Sequence, residues 1–131
     1  MKFGCVLPPR GRIVTPDSLR TLAQHAENLG FDSVWISDHI TIPVEIVTPY
    51  PYVDGGKWDF DPTETYVEPL TTLAYLAGVT SNIRLGTHVV IVPYRHPLIT
   101  AKQVANLDFL SKGRFIFGIG VGWMKEEFEA L

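Results

Sequence analysis

Four apolar runs alternate with four helical patterns along the chain, and this alternation restricts the possible folds more than any other feature. The runs cover residues 2–8, 31–37, 83–92 and 114–122. They are apolar throughout, as expected for strands of a parallel sheet that is covered on both faces. The pattern therefore predicts an α/β fold, either an open doubly wound sheet or part of a (β/α)8 TIM barrel.

Capping signals mark where the helices begin and end. Thr15 is suited to an N-cap, Pro16 to the first helical position, and Gly30 to a stop after the last apolar residue. Pro69 and Pro97 mark the first turns of two later helices. The predicted helices cover residues 16–29, about 66–78, 97–112 and 124–131.

The length of the chain favours the barrel interpretation. A complete barrel takes about 250 residues, so 131 residues supply about the first four βα units. The last predicted helix also lacks a stop signal. We therefore predict that residues 1–131 form the N-terminal half of a barrel and are part of a longer protein. Half a barrel leaves its first and fourth strands as unpaired edges, so the isolated chain is expected to dimerise or aggregate.

Composition excludes several classes of partner. With 11 basic and 14 acidic residues, the net charge of −3 offers no basic field for a nucleic acid. No apolar run reaches the roughly 18 residues of a membrane span, and the N-terminus lacks a signal-peptide pattern. Cys5 is the single cysteine, which fits a reducing cytoplasm. The histidines and carboxylates lack zinc-type spacing, so no metal is predicted.

A long loop over residues 40–64 interrupts the alternation of strands and helices. It is rich in proline and glycine, and it also contains Tyr50, Tyr52, Trp58 and Phe60. Loops of this length in compact domains are usually functional or disordered, and disordered segments are poor in aromatic residues. Two interpretations stay open, an insertion that packs on itself and a lid over a substrate.

The stretch FIFGIGVGW, residues 115–123, invites comparison with a dinucleotide-binding turn. That fingerprint requires G-x-G-x-x-G between a strand and a helix. Gly118 and Gly120 match the first two positions, but the third falls on Trp123, and Gly122 comes one residue early. The spacing therefore argues against a Rossmann site.

Two blocks of sequence resemble the luciferase-like monooxygenase superfamily. They are GFDSVWISDHI, residues 30–40, and LGTHVVIVPYRHPLITAKQVANLDFLSKGRFIFGIGVGWMKEEFEAL, residues 85–131. The branch most like this chain uses the deazaflavin coenzyme F-420, and the resemblance corresponds to the N-terminal half of the family's TIM barrel. It implies a flavin or deazaflavin at the carboxyl ends of the strands, used for hydride transfer or oxygen activation.

The resemblance assigns chemistry to Asp38 and His39, which follow the second apolar run. An imidazole titrates near neutral pH and can donate or accept a proton, and the matching histidine of the family is a proposed acid/base residue. His39 is therefore the predicted catalytic residue, and Asp38 is predicted to bind the cofactor or orient its neighbours. The alternative is a capping aspartate beside a loop histidine.

A second implied feature lies at His88 and Val89. Relatives carry a non-proline cis peptide at the matching place, where a backbone bulge supports the cofactor ring from behind. Many of them have a small residue where His88 stands. Both residues are predicted to bind the cofactor, and a bulge with a trans bond is the alternative.

The glycine run acquires a role from the same resemblance. Gly120, Val121 and Gly122 are predicted to lie beside the cofactor, where glycine permits close approach of a flat ring to the backbone. Gly118 is predicted to serve packing. Trp123 stands where some F-420 dehydrogenases have a catalytic glutamate. An indole cannot act as an acid, so Trp123 argues against their sugar-oxidising mechanism; it is predicted to contact the substrate, and the alternative is that it caps the barrel.

Three functions follow as expectations. The first is an oxidoreductase that uses F-420 for hydride transfer with a small organic substrate held under the long loop. The second is an FMN-dependent monooxygenase on the same fold. The third is a non-catalytic, shortened barrel that binds a flavin. A cytoplasmic homodimer is expected in each case.

Overall fold

A computed structural model of the protein describes residues 1–58 and 60–131. The strands are β1 (Gly4–Val6), β2 (Ser33–Ile36), β3 (Arg84–Thr87), β4 (Val90–Ile91), β5 (Phe115–Ile116) and β6 (Ile119–Gly120). The α-helices are α1 (Pro16–Asn28), α2 (Pro69–Val79), α3 (Pro97–Ser111) and α4 (Lys125–Ala130), and a 3-10 helix covers Val92–Tyr94.

The strands form a parallel sheet in chain order. The larger sheet has the order β1-β2-β3-β5, and a two-stranded parallel sheet joins β4 to β6. A doubly wound sheet would reverse its strand order at a switch point, whereas a barrel adds each strand beside the previous one. The observed order therefore favours the barrel of the two predicted architectures.

The core lies between the sheet and the helices that connect its strands. Val34 of β2 and Leu85 of β3 are fully buried, as are Leu73 and Leu76 of α2. On α1, Leu19, Ala23 and Ala26 are buried, while Leu22 and Leu29 are exposed. The core thus holds the sheet in place on the face that the helices cover.

The predicted helix starts are confirmed at α1 and α3 and corrected at α2. Thr15 caps α1 through a reciprocal pair of hydrogen bonds with Ser18, and α3 begins at Pro97. The second helix begins at Pro69 instead of near Tyr66. A proline disfavours helical geometry in the residue before it, and Glu68 caps the helix by accepting from the Thr71 amide at 2.7 Å.

The third and fourth predicted strands are each split in two, which corrects the prediction of continuous strands. Thr87 at the end of β3 explains the break between β5 and β6, because its hydroxyl donates to the carbonyl of Gly118 at 2.8 Å and accepts from that residue's amide at 2.9 Å. A side chain at Gly118 would collide with the carbonyl oxygen of Thr87. Gly118 therefore serves the packing for which it was predicted.

Across residues 1–58 and 60–131, each helix is too short or too polar to cross a bilayer.

Candidate cofactor and substrate cleft

The predicted site residues meet in one cleft of about 760 Å³ beyond the carboxyl ends of the strands. All eight contribute to its wall: Asp38, His39, His88, Val89, Gly120, Val121, Gly122 and Trp123. Barrel enzymes place their active sites on this face of the sheet. The structure therefore brings together residues that are up to 85 positions apart in the chain, and their roles stay predictions.

A backbone bulge forms one side of the cleft. The peptide bond between His88 and Val89 is cis, so the cis alternative is the one that the structure shows. The bulge separates β3 from β4, and β4 then pairs with β6. A Cβ atom on Gly120 would collide with the Val89 side chain, so glycine is needed for this close approach.

Gly122 lets the chain turn from β6 toward α4. Its φ of +83° is a left-handed conformation that side chains disfavour. A Cβ atom there would also lie 2.8 Å from the Phe128 ring and 3.0 Å from Ile91. The turn brings Trp123 to the cleft and starts α4 beside it.

His39 is paired with a buried carboxylate that the sequence did not reveal. Its Nδ1 lies 2.6 Å from Oε2 of Glu127 on α4, and the Glu127 side chain is fully buried. The other carboxylate oxygen accepts from the amides of Ile40 and Thr41 at 2.7 and 3.2 Å. A carboxylate accepts hydrogen bonds only, so Nδ1 carries the hydrogen and Nε2 is the nitrogen left for a ligand in the cleft.

The electrostatics of this pair favour an ionised glutamate. Burial opposes ionisation of the Glu127 carboxyl, but the hydrogen bond and charge of His39 and the two amide donors hold its pKa below the usual value. Burial, and then the nearby Glu127 charge, raise the pKa of Tyr94. The ionised carboxylate orients the His39 imidazole through Nδ1, as the carboxylate of a catalytic triad does.

The Asp38 carboxylate is paired with Arg95 and is therefore not free to bind a ligand in the cleft. Its oxygens accept from the Arg95 guanidinium at 2.5 and 2.8 Å and from the Ile91 amide at 2.8 Å. The same guanidinium donates to Glu68 at 3.1 Å. Asp38 therefore fixes the end of β4 beside the cleft, which agrees with the orienting role predicted for it. Its direct binding of a cofactor stays a prediction.

Aromatic rings surround the imidazole of His39. The ring centroids of Trp58, Tyr66 and Trp123 lie 4.9, 5.4 and 6.3 Å from it. Tyr50 in turn lies 5.9 Å from Trp58 and 5.0 Å from Trp123. The long loop thus packs on itself, as its first interpretation predicted, and it also lines the cleft. A lid over a substrate stays a prediction.

The first turn of α4 fastens the long loop. One carboxylate oxygen of Glu126 accepts from the amides of Val47 and Thr48, each at 2.9 Å. Hydrogen bonds from its own amide, from Thr48 and from Val47 lower the pKa of Glu126 to about 2. The carboxylate therefore stays ionised at neutral pH, and adjacent glutamates of one helix hold both the loop and His39.

Glu126→Ala is expected to free the loop without removing a buried side chain. Loss of the charged acceptor should speed hydrogen exchange at the Val47 and Thr48 amides by about tenfold or more, measured by NMR or mass spectrometry. Glu126→Gln keeps a carbonyl acceptor and should have a smaller effect. Glu129→Ala, at an exposed position of the same helix, is the control. Equal exchange rates in Glu126→Ala and this control would show that the hydrogen bonds to Glu126 do not hold the loop.

Sequence reasoning missed Glu127, Arg95 and Tyr66. Glu127 lies in an acidic helix start that reads as a solvated surface, and Arg95 lies in a short connection after β4. One signal could have found Glu127: acidic residues in the first turn of a helix that follows a strand end belong to the face where barrel sites form.

Comparison with known proteins assigns the chain to a family. A family model described as luciferase-like monooxygenase matches residues 1–131. The chain belongs to the luciferase-like monooxygenase family. The predicted resemblance is thus confirmed. The chain spans less than half the length of the curated relatives it matches.

Several relatives show the breadth of the luciferase-like monooxygenase family. An F-420-dependent glucose-6-phosphate dehydrogenase of Kineococcus radiotolerans is 37% identical over 108 residues, 82% of this chain and 27% of that protein. The coenzyme F-420-dependent tetrahydromethanopterin reductase of Methanopyrus kandleri has a TM-score of 0.68 and 31% identity, over 98% of this chain and 29% of that one. The oxygenating constituent of 3,6-diketocamphane monooxygenase from Pseudomonas putida, solved with FMN, has a TM-score of 0.66 and 25% identity, over 93% and 30%.

These solved structures confirm the predicted fold class. The chain is an α/β structure that covers about the first half of the luciferase-like TIM barrel. The family contains oxidoreductases that depend on F-420 and others that bind FMN.

Proposed function

We propose that the protein is an oxidoreductase that uses coenzyme F-420 to transfer hydride to or from a small organic substrate. The observation that carries the proposal is the His39–Glu127 pair at 2.6 Å, which leaves Nε2 of His39 for a ligand in the cleft. Such a pair supplies the proton transfer that must accompany hydride transfer at an alcohol or carbonyl carbon.

The residues of the cleft fit a flat deazaflavin or flavin ring. A volume of about 760 Å³ lies within the usual range of small-molecule sites. Gly120 and Gly122 in the cleft wall have no side chain, and Val89 adds an apolar one, so a planar ring can lie close to this surface. We assign the ring to this surface, where F-420 would supply a hydride donor or acceptor.

The residues of the chain then perform the proton chemistry. When a secondary alcohol is oxidised, its carbon loses a hydride, its hydroxyl loses a proton, and a carbonyl forms. Nε2 of His39 takes that proton, and the Glu127 carboxylate stabilises the resulting imidazolium. The reverse reaction returns the proton to the carbonyl oxygen. Rings of Trp58, Tyr66 and Trp123 around the imidazole limit the access of water.

An FMN-dependent monooxygenase is the second candidate. The structure of the diketocamphane monooxygenase constituent bound to FMN, 25% identical to this chain, favours it. The F-420-dependent relatives, which are 37% and 31% identical to this chain, support F-420 as the first choice.

Cofactor titration tests the choice. We expect F-420 to bind the purified protein at least about tenfold more tightly than FMN, a difference of about 1.4 kcal/mol, followed by absorbance and by quenching of cofactor fluorescence. The two titrations serve as mutual controls, because each cofactor is fluorescent. Tight FMN binding without any response to F-420 would overturn the first choice in favour of the monooxygenase.

A further inference from the structure

The charged side chains of the cleft are neutralised by partners. Among the described lining residues, Arg10 lies 3.5 Å from Glu64, and Asp38 is bound by Arg95. His39 is held by Glu127, as described above. The remaining basic side chain, His88, stands on the bulge that we assign to the cofactor ring. The cations that a substrate phosphate or carboxylate would meet are therefore already paired with opposite charges. Binding there would not compensate for the hydration free energy that the anion loses.

The wall around His39 is aromatic instead. Trp58 stacks with Tyr50 and with Phe60, at centroid distances of 5.9 and 4.9 Å. Trp123 meets the Trp58 ring edge-on at 5.7 Å. The Tyr66 hydroxyl is already hydrogen-bonded to Ser37 at 2.8 Å. Such a surface binds flat or ring-shaped apolar groups by stacking and by release of water.

From this juxtaposition we propose that the substrate is a neutral, apolar secondary alcohol containing a ring, or the corresponding ketone. Its ring lies against Trp58 and its oxygen at Nε2 of His39. Oxidation breaks the carbinol C–H bond, transfers a hydride to an oxidised deazaflavin, moves the hydroxyl proton to Nε2 and forms the C=O bond. The inference rests on the proposed oxidoreductase function and adds the class of substrate to it.

Ligand binding without turnover tests the inference. Menthol is the probe for a neutral cyclic alcohol, and glucose 6-phosphate is the probe for a hydrophilic anion; dissociation constants are measured by ligand-observed NMR without cofactor. We expect menthol to bind at least about tenfold more tightly than glucose 6-phosphate. Trp58→Ala should weaken menthol binding by about tenfold or more, the effect of losing a stacked ring and its buried area. Trp58→Phe, which keeps a ring, should stay within about threefold of the original protein.

A control variant separates stacking from general damage. Phe109→Ala removes an exposed ring on α3 and should leave menthol binding unchanged. Glucose 6-phosphate binding as tight as that of menthol would overturn the inference, and so would equal menthol affinities of the Trp58→Ala and unaltered proteins. Since F-420 is absent from these titrations, failure of the F-420 titration would count against the proposed cofactor alone.

Discussion

Replacement of His39 by alanine is expected to lower kcat/KM for F-420-linked oxidation by a factor of about 10² or more. The variant loses the nitrogen that accepts the hydroxyl proton, while the bulge and glycine surface assigned to the cofactor ring stay in place. F-420 affinity should therefore change by less than about threefold. A large loss of kcat/KM with nearly unchanged cofactor affinity locates the effect in the chemical step. Steady-state kinetics and a cofactor titration on the same preparation measure both quantities.

The matched control for this variant is His25→Ala. His25 lies on the exposed face of α1, so its loss should leave kcat/KM within about twofold of the original value, consistent with ordinary surface substitutions. Turnover of His39→Ala equal to that of His25→Ala would remove His39 from the mechanism.

Glu127 variants are expected to show the second large effect, on stability as well as on turnover. Glu127→Ala leaves His39 and the amides of Ile40 and Thr41 without their acceptor in a buried site. Breaking a buried pair in this way costs about 3–5 kcal/mol of unfolding free energy, measured by urea denaturation. Glu129→Ala on the same helix should stay within about 0.5 kcal/mol of the unaltered protein, and an equal loss in both variants would contradict a special role for Glu127.

Glu127→Gln distinguishes orientation of His39 from mere packing. The amide is close in size to the carboxylate but can donate to Nδ1, which would place the imidazole hydrogen on Nε2 and remove the base from the cleft. Turnover should fall by about 10² or more, while stability falls less than in Glu127→Ala. Nitrogen chemical shifts of His39 report the tautomer directly. An unchanged tautomer together with unchanged turnover would show that Glu127 does not position the base.

The same pair gives stability a defined dependence on pH. Because the folded state lowers the pKa of Glu127 below its ordinary value of 4.5, its ionised form stabilises the fold fully above that value. The contribution is lost as pH falls below 4.5 through the lowered pKa of the folded state. The gap in unfolding free energy between the original protein and Glu127→Gln should therefore narrow in acid, and a gap that widens below pH 4.5 would contradict this sign.

Local signals predicted the architecture well because they act within a few residues. Thr15 caps α1 by contacts inside one turn, and Pro97 begins α3 at a position that suits proline, so both can be identified without knowing the fold. The α/β class follows from apolar runs that need cover on both faces. The break in the fourth strand was not predicted, because it depends on the Thr87 hydroxyl taking the place of ladder contacts to Gly118.

The candidate site was predicted in part, and the missing part is long-range. His39 and the glycine run carry motifs, whereas Glu127 is 88 residues from the histidine that it contacts. The contact forms only because the barrel brings the start of α4 beside the end of a distant strand. The approach of the Trp58 ring to within 4.9 Å of that histidine likewise follows from the path of the loop rather than from any local pattern.

The hydrogen bonds between α4 and the long loop divide that loop into two regions under different constraint. Residues 40–48 are bound to the glutamates that also position the base, so changes there disturb proton transfer. Residues 49–57 lie beyond these hydrogen bonds, and Tyr50 and Tyr52 among them line the cleft. Substitution or exchange of this distal part can thus alter which molecules are accepted while the acid/base machinery is inherited unchanged, a modular arrangement that suits divergence among paralogues and loop grafting by design.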